Sequence, residues 1–328
     1  MKILGMGNAL VDIMTQLKDD SILDRFKFPK GSMTLIDNEM SSYLYNETIG
    51  LSKQKASGGS AANTIHGLSH LGVETSFMGK IGNDELGKFF KKDMKINGIN
   101  PILFNSITET GRVLAMVSPD SERTMATYLG AAVELDAQDL SADIFRGYNF
   151  FYIEGYLVQN KELIQKALRL AKHSNVKTCI DLASYNVVLE NIDFLKSVIA
   201  EYVDIVFANE EEAKALTGKG PEEALDEIAE MCDIAVVKVG SKGSLIKIGS
   251  EITVVPARLT KSIDTTGAGD LYAAGFLYGI GKGLPVTVAG EIGSILASRV
   301  IEDFGAKMNE STWEMLRREI QSLEIANS

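Results

Sequence analysis

The run Asp264-Thr265-Thr266-Gly267-Ala268-Gly269-Asp270 sets three small residues directly before a carboxylate, and Leu271, Ala274, Gly275 and Tyr278 follow at helical spacing. A turn feeding a helix is therefore expected here. Small residues let consecutive backbone amides face outward where the helix dipole adds positive potential, which makes a cradle for a phosphate or a developing oxyanion. A carboxylate repels phosphate, so Asp270 is read as facing the other reactant, where it can take the proton of a hydroxyl. Together the parts predict phosphoryl transfer, with the amides of Gly267, Ala268 and Gly269 on the migrating group and Asp270 as the base on an alcohol. Taken without its surroundings, the spacing also suits an aspartate that merely favours a helix start beside turn-forming glycines.

Other polar residues fall where an alcohol or a nucleotide would need them. Asn8 and Asp12 follow the first apolar run, and a short carboxylate there can accept hydrogen bonds from two vicinal hydroxyls. Gly58 and Gly59 would let a sugar ring approach the backbone, and the amide of Asn63 can both donate and accept. Arg123 sits in an expected hairpin from which a guanidinium could reach phosphates. Asn209 and Glu212 open a helix after a strand and suit either a cap with a first-turn acid or a hydrated Mg²⁺, which needs few direct protein ligands. Lys238, Gly240 and Gly243 lie in a turn after another strand, where glycine permits close approach to a nucleotide.

The elements that must hold these residues are legible as alternation. Short Val/Ile-rich runs at 2–6, 75–80, 150–153, 177–181, 205–208 and 235–239 alternate with segments of helical period, which predicts a mostly parallel sheet with helices on both faces. Over 84–97, Asp84 can cap, Leu86, Phe89, Phe90 and Met94 share a face, and Gly98 permits a left-handed stop. Two stretches break this rhythm, 11–36 and 102–128; in the second, the runs 113–117 and 123–128 flank Ser118-Pro119-Asp120-Ser121-Glu122 as a hairpin. The expected division is a large α/β domain of 1–10, 37–101 and 129–328, carrying a small β lid of 11–36 and 102–128.

Composition narrows the partners. Across 328 residues, 33 Lys plus Arg against 44 Asp plus Glu give a net charge of −11, which disfavours nucleic acid and anionic membrane. Two cysteines, Cys179 and Cys232, have neither the count nor the spacing of a disulfide scaffold or zinc site, so a reducing cytoplasm is expected. No apolar stretch approaches the ~18 residues of a membrane span. Gly5-Met6-Gly7-Asn8-Ala9-Leu10 starts like a dinucleotide fingerprint but has Leu10 at the third glycine; Asp303-Phe304-Gly305 lacks the rest of a protein-kinase set; and no Walker motif occurs. His66 and His70 have metal-ligand spacing without the accompanying glutamate and are read as ordinary helix positions.

The run 264–270 resembles the C-terminal signature of the PfkB, or ribokinase-like, carbohydrate and nucleoside kinases. Gly58-Gly59-Ser60-Ala61-Ala62-Asn63 resembles the family's N-terminal signature, and Asn209-Glu210-Glu211-Glu212 its Asn-x-x-Glu motif. The likeness extends over nearly the whole chain. It implies a ribokinase-like three-layer sandwich with a central mostly parallel sheet and a small β-sheet lid. It implies Asp270 as catalytic base, with Gly267, Ala268 and Gly269 as the anion hole. Asn8, Asp12, Gly58, Gly59, Asn63 and Arg123 would hold the acceptor; Asn209, Glu212, Lys238, Gly240, Gly243, Thr265, Gly267 and Gly269 would hold ATP. Asn209 and Glu212 would position Mg²⁺ through water, and Asp264 and Thr266 stand where relatives bind potassium. The family often has threonine at the place of Lys238.

The expected activity is ATP-dependent phosphorylation of a primary hydroxyl on a small sugar-containing molecule. The runs 7–12, 58–60 and 122–124, with Leu129-Gly130-Ala131-Ala132, look more like the adenosine kinases, so the 5′-hydroxyl of adenosine, giving AMP, is the first expectation. A sugar kinase acting on ribose, fructose or a sugar acid is the second, and a non-catalytic nucleoside or sugar sensor is the alternative from another class. Monomer and lid-mediated homodimer are both compatible with the sequence.

Overall fold

The computed structural model describes residues 1–120 and 122–327. Seven strands form a parallel array: β1 (Lys2–Met6), β5 (Glu74–Gly82), β6 (Ile99–Ser106), β9 (Phe150–Glu154), β10 (Lys177–Asp181), β11 (Ile205–Asn209) and β12 (Ile234–Lys238). Antiparallel β13 (Ser244–Ile248) and β14 (Glu251–Val255) complete the sheet in the order β14-β13-β12-β11-β10-β9-β1-β5-β6. The six expected runs all fall on these strands.

Helices cover both faces, and for that reason the central strands are apolar throughout rather than alternating. On β1, Ile3 joins a core with α3 (Ser60–His70), α4 (Glu85–Ile96), α10 (Ala268–Gly281), α11 (Val286–Val300) and α12 (Glu310–Ala326). Its neighbours Leu4 and Met6 join the opposite core with α5 (Lys161–His173), α7 (Ile192–Tyr202), α8 (Glu210–Thr217) and α9 (Pro221–Ala229). The α4 boundaries follow their sequence signals: Asp84 accepts from the Gly87 amide at 2.8 Å, and Gly98 is left-handed at φ 74°. The arrangement is the three-layer α/β architecture expected.

A second sheet has the order β3-β8-β7-β2-β4, built from β2 (Leu10–Gln16), β3 (Met33–Leu35), β4 (Lys53–Gly58), β7 (Thr110–Val117) and β8 (Arg123–Gly130). The hairpin β7–β8 forms as expected, closed by the Ser118 amide donating to the Glu122 carbonyl at 2.9 Å; Ser121 in its turn lies outside the described residues.

Sheet membership departs from the expected division. Lys53–Gly58 pairs antiparallel with β2, and α2 (Asn38–Glu47) docks on the same sheet, where Arg112 on β7 donates to Ser41 and Asn38. Lys-Gln-Lys-Ala-Ser-Gly has no apolar run, so only pairing makes it a strand. Conversely, Ile99–Ser106 pairs parallel with β5 in the large sheet, and Pro101 is tolerated there because β6 is an edge. No helix among the described residues is long and apolar enough to cross a membrane.

Candidate active site

Parallel strands all deliver their carboxyl ends to one side of the sheet, where open α/β folds place ligand sites. Here that edge presents Asn8 just after β1, Glu154 closing β9, Asp181 closing β10, Asn209 closing β11 and Lys238 closing β12. In register, Asp181 lies beside Glu154, and Asn209 beside Lys238. A cleft of about 1020 Å³ runs along this edge, between it and the small sheet, and reaches Thr266, Gly269 and Asp270 at the start of α10.

Asp270 faces this cleft. Ser60 Oγ donates to its Oδ1 at 2.7 Å, and Asn63 Nδ2 donates to its Oδ2 at 2.9 Å, so α3 fixes the carboxylate from the side. Burial raises its pKa to about 6, with those two hydrogen bonds restraining the rise. Gly267 caps α10 in the left-handed region at φ 79°, and a Cβ there would come 2.6 Å from the Ala306 methyl, so glycine is required on both counts. Among the described residues the amides of Gly267, Gly269 and Asp270 have no protein acceptor, whereas that of Ala268 donates to the Thr265 carbonyl at 3.2 Å. The expected cradle therefore loses Ala268, because the tight turn into the helix spends its amide. Thr265 itself is exposed and lies outside the cleft lining.

On the small-sheet side, Asp12 lines the cleft from β2. Burial raises its carboxyl, against the opposing charges of Arg123 and Lys307. Gly58, expected to touch a ligand, instead makes room for that carboxylate: a Cβ there would sit 2.4 Å from Asp12 Oδ1, and the residue does not line the cleft. Gly59 does line it and holds φ 101° with its Cα against the Asn8 carbonyl. Asn8 Nδ2 donates to Glu154 Oε1 at 2.8 Å, and its Oδ1 is buried without a partner among the described residues. The amide of Asn63, expected to meet acceptor hydroxyls, is committed to Asp270; its Oδ1 is buried and likewise unpaired among the described residues. Beside Asp12 the small sheet's lining is mostly apolar, with Leu10, Met33, Leu35, Val113 and Leu129 next to Thr127 and Arg123, and Val133 beyond it.

At the other end, Asn209 and Glu212 form a reciprocal capping box on α8. Asn209 donates to Glu212 through its amide at 2.8 Å and its Nδ2 at 2.7 Å, while the Glu212 amide donates to Asn209 Oδ1 at 2.8 Å. Burial pushes Glu212 up to about 7, and the nearby Asp181 carboxylate adds to the rise. Lys238 Nζ donates to Asp181 Oδ2 at 2.8 Å; burial opposes its charge, but Asp181 and Glu212 outweigh burial and hold its pKa above the ordinary value. Gly240 lines the cleft, but Gly243 does not: a Cβ there would collide with the Val255 carbonyl at 1.9 Å, so its glycine serves backbone packing.

Arg123 joins the two sheets' territories. Its Nη1 donates to Asp264 Oδ2 at 2.8 Å, and both side chains are nearly enclosed. Asp264 also accepts from the amide and hydroxyl of Thr266 and from the Gly305 amide. Four donors, one of them a guanidinium, thus converge on this carboxylate, while the Thr266 hydroxyl, donating to it, keeps its oxygen lone pairs. A potassium ion held by Asp264 would share that carboxylate with the Arg123 guanidinium.

The model of the pfkB family carbohydrate kinases matches residues 32–313. The chain belongs to that family. It is similar to a probable sugar kinase from Rhizobium etli (35% identity, TM-score 0.87, 98% of each chain covered). It is equally similar to an adenosine kinase from Sinorhizobium meliloti (35% identity, TM-score 0.86, covering 97% of this chain and 99% of the other). A 5-dehydro-2-deoxygluconokinase from Geobacillus thermodenitrificans is 28% identical over 291 residues, 82% of this chain and 85% of the relative. This PfkB kinase is thus a phosphotransferase with an alcohol as acceptor, and its two-sheet fold is the ribokinase-like one.

Sequence reading missed three charged residues of this kinase's cleft region. Glu154 accepts from the Asn8 and Ala61 amides at 2.9 and 2.8 Å besides Asn8 Nδ2, and burial pushes it up to about 7. Asp181 anchors Lys238. Each is a carboxylate closing an apolar parallel strand, a signal the sequence did carry. Lys307 follows no such pattern; its Nζ is enclosed without a partner among the described residues, and burial lowers it to about 8 against the pull of Asp12, Asp93 and Asp270.

Proposed function

We propose that this kinase transfers the γ-phosphoryl group of ATP to a primary hydroxyl of a nucleoside, with the 5′-hydroxyl of adenosine as acceptor and AMP as product. The observation that carries this reading is a base in the right state at the right place. Asp270, its pKa raised to about 6, stands next to unspent amides at the start of α10 and faces a cleft whose acceptor end is mostly apolar beside Asp12. At neutral pH such a carboxylate is ionised yet basic enough to take a hydroxyl proton. The amides of Gly267, Gly269 and Asp270 supply donors to the phosphoryl oxygens, where preorganised dipoles are most effective. Asp12 accepts from ribose hydroxyls, and the Leu10, Met33, Leu35, Val113 wall suits a flat purine better than a free sugar.

ATP lies toward Gly240 and the Asn209–Glu212 end of the cleft in this reading. Carboxylates outnumber cations there, since Asp181, Glu212 and Asp270 face Lys238, and burial holds Glu212 high; oxygen ligands short of positive charge fit a hydrated Mg²⁺. Because both Glu212 oxygens already accept from Asn209, the pair would hold the metal's waters. When bound, the ion neutralises phosphate charge. The small sheet acts as a lid, with Arg123 latched to Asp264, and it keeps water from competing with the alcohol.

The test is ADP formation from ATP with a panel of nucleosides, sugars and sugar acids. Adenosine is expected to give the highest kcat/KM. Faster turnover of ribose, fructose or a sugar acid replaces the acceptor assignment. That second reading is favoured by the match to 5-dehydro-2-deoxygluconokinase.

A further inference from the structure

The cleft holds a buried cation. Lys238 closes β12, and its ammonium is fixed by Asp181 Oδ2 at 2.8 Å; the two side chains retain only 15% and 6% exposure. It also abuts the start of α10: a Cβ placed on Gly269 would come 3.1 Å from Nζ. An ammonium set against the positive end of a helix is unfavourable on its own account, because the dipole and the charge repel. The juxtaposition becomes favourable once an anion lies between them. Nζ carries three donors, and Asp181 is its one protein acceptor among the described residues. The remaining donors and the unspent amide of Gly269 thus serve one volume of the cleft, next to Asp270.

We propose that Lys238 is a catalytic residue that contacts the migrating phosphoryl group, with Asp181 as the positioning residue that holds its ammonium. This rests on the reading of the cleft as a phosphoryl-transfer site. In the step, the acceptor oxygen forms a bond to the γ-phosphorus, and the bond from that phosphorus to the β,γ-bridging oxygen breaks. The hydroxyl proton passes to the Asp270 carboxylate, and ADP keeps the electron pair of the broken bond. Negative charge is spread over the three equatorial oxygens during transfer, and a fixed ammonium in a site sheltered from water stabilises it more than a hydrated one can. The amides supply dipoles; Lys238 adds a full charge.

The experiment compares wild type, Lys238→Ala and the paired Lys238→Thr/Asp181→Asn, each assayed with ATP-Mg²⁺ and the best acceptor of the panel. The pair removes both charges of the ion pair together, so Asp181 is not left as a buried carboxylate without its partner. Expected are a kcat about 10²–10³-fold lower in both variants, an acceptor KM within threefold of wild type, and partial, saturable recovery of Lys238→Ala by added methylammonium but not by equal tetramethylammonium. A paired variant with kcat within threefold of wild type overturns the proposal. So does Lys238→Ala that folds but gains nothing from methylammonium, since the ammonium then serves packing only. Should Lys238→Ala not fold, the paired variant decides by its kcat alone. A wild-type protein with no ATP-dependent transfer to any acceptor sinks the functional reading instead, and this outcome is told apart by the wild-type control.

Discussion

Asp270 couples burial to protonation, and the sign of its effect on rate is fixed. Its pKa is raised to about 6, and only the ionised form can accept the hydroxyl proton, so kcat/KM should fall about tenfold per pH unit below pH 6. Ser60 and Asn63 hold that pKa down by donating to the charged form. Ser60→Ala should therefore move the acid limb of the pH–rate profile upward; a limb that stays in place separates it from Asp270. Asp270→Asn should lower kcat by about 10²–10⁴-fold with a nearly unchanged acceptor KM. The run 264–270 was legible as a cradle and a base because small residues and an acid at a helix start have few other uses together. That Ala268 spends its amide on Thr265, and Asn63 its own on Asp270, follows from turn geometry and from a contact across 207 residues. No local pattern reports either.

At the level of elements, strand ends position the chemistry, and β9 shows how. Glu154 accepts three N–H groups from the loop after β1 and from the first turn of α3, so one carboxylate orients both Asn8 and the helix that carries Ser60 and Asn63. Glu154→Gln replaces an acceptor oxygen by an NH₂ that must face one of those donors. It should cost about 1–3 kcal/mol in denaturant unfolding and lower kcat as well. Gly59→Ala should cost a similar amount, about 1–3 kcal/mol, since its Cβ would come 2.2 Å from the Asn8 carbonyl at φ 101°; an unchanged unfolding midpoint would refute the strain. Six of the seven parallel strands were readable because helices bury both their faces and force continuous Val/Ile runs, whereas β6, an edge strand with Pro101, reads as part of the lid. Lys53–Gly58 and Met33–Leu35 were not readable, since a polar hexapeptide and a three-residue strand acquire their identity only from their partners.

Across the whole molecule, the small sheet and the α10 turn meet through Arg123 and Asp264. Arg123→Met leaves Asp264 without its cation and weakens that closure. We expect more ATP hydrolysed per acceptor phosphorylated, read as the ratio of inorganic phosphate to phosphorylated product; a ratio equal to wild type would place the latch elsewhere. The overall architecture was legible from alternation alone, whereas its division was not. The chain enters and leaves the small sheet several times, and each crossing, such as Gly7-Asn8-Ala9 between β1 and β2, is too short to carry a compositional signal.

The open rims of that five-stranded sheet have a bearing on self-association. One rim strand is only three residues long, and the other displays Gln54 and Lys55 to solvent. Two copies laid β4 to β4 would bring Lys55 against like charge, and β3, though it exposes Met33 and Leu35, offers only three residues of ladder, so accretion into fibres is disfavoured by charge at one rim and by shortness at the other.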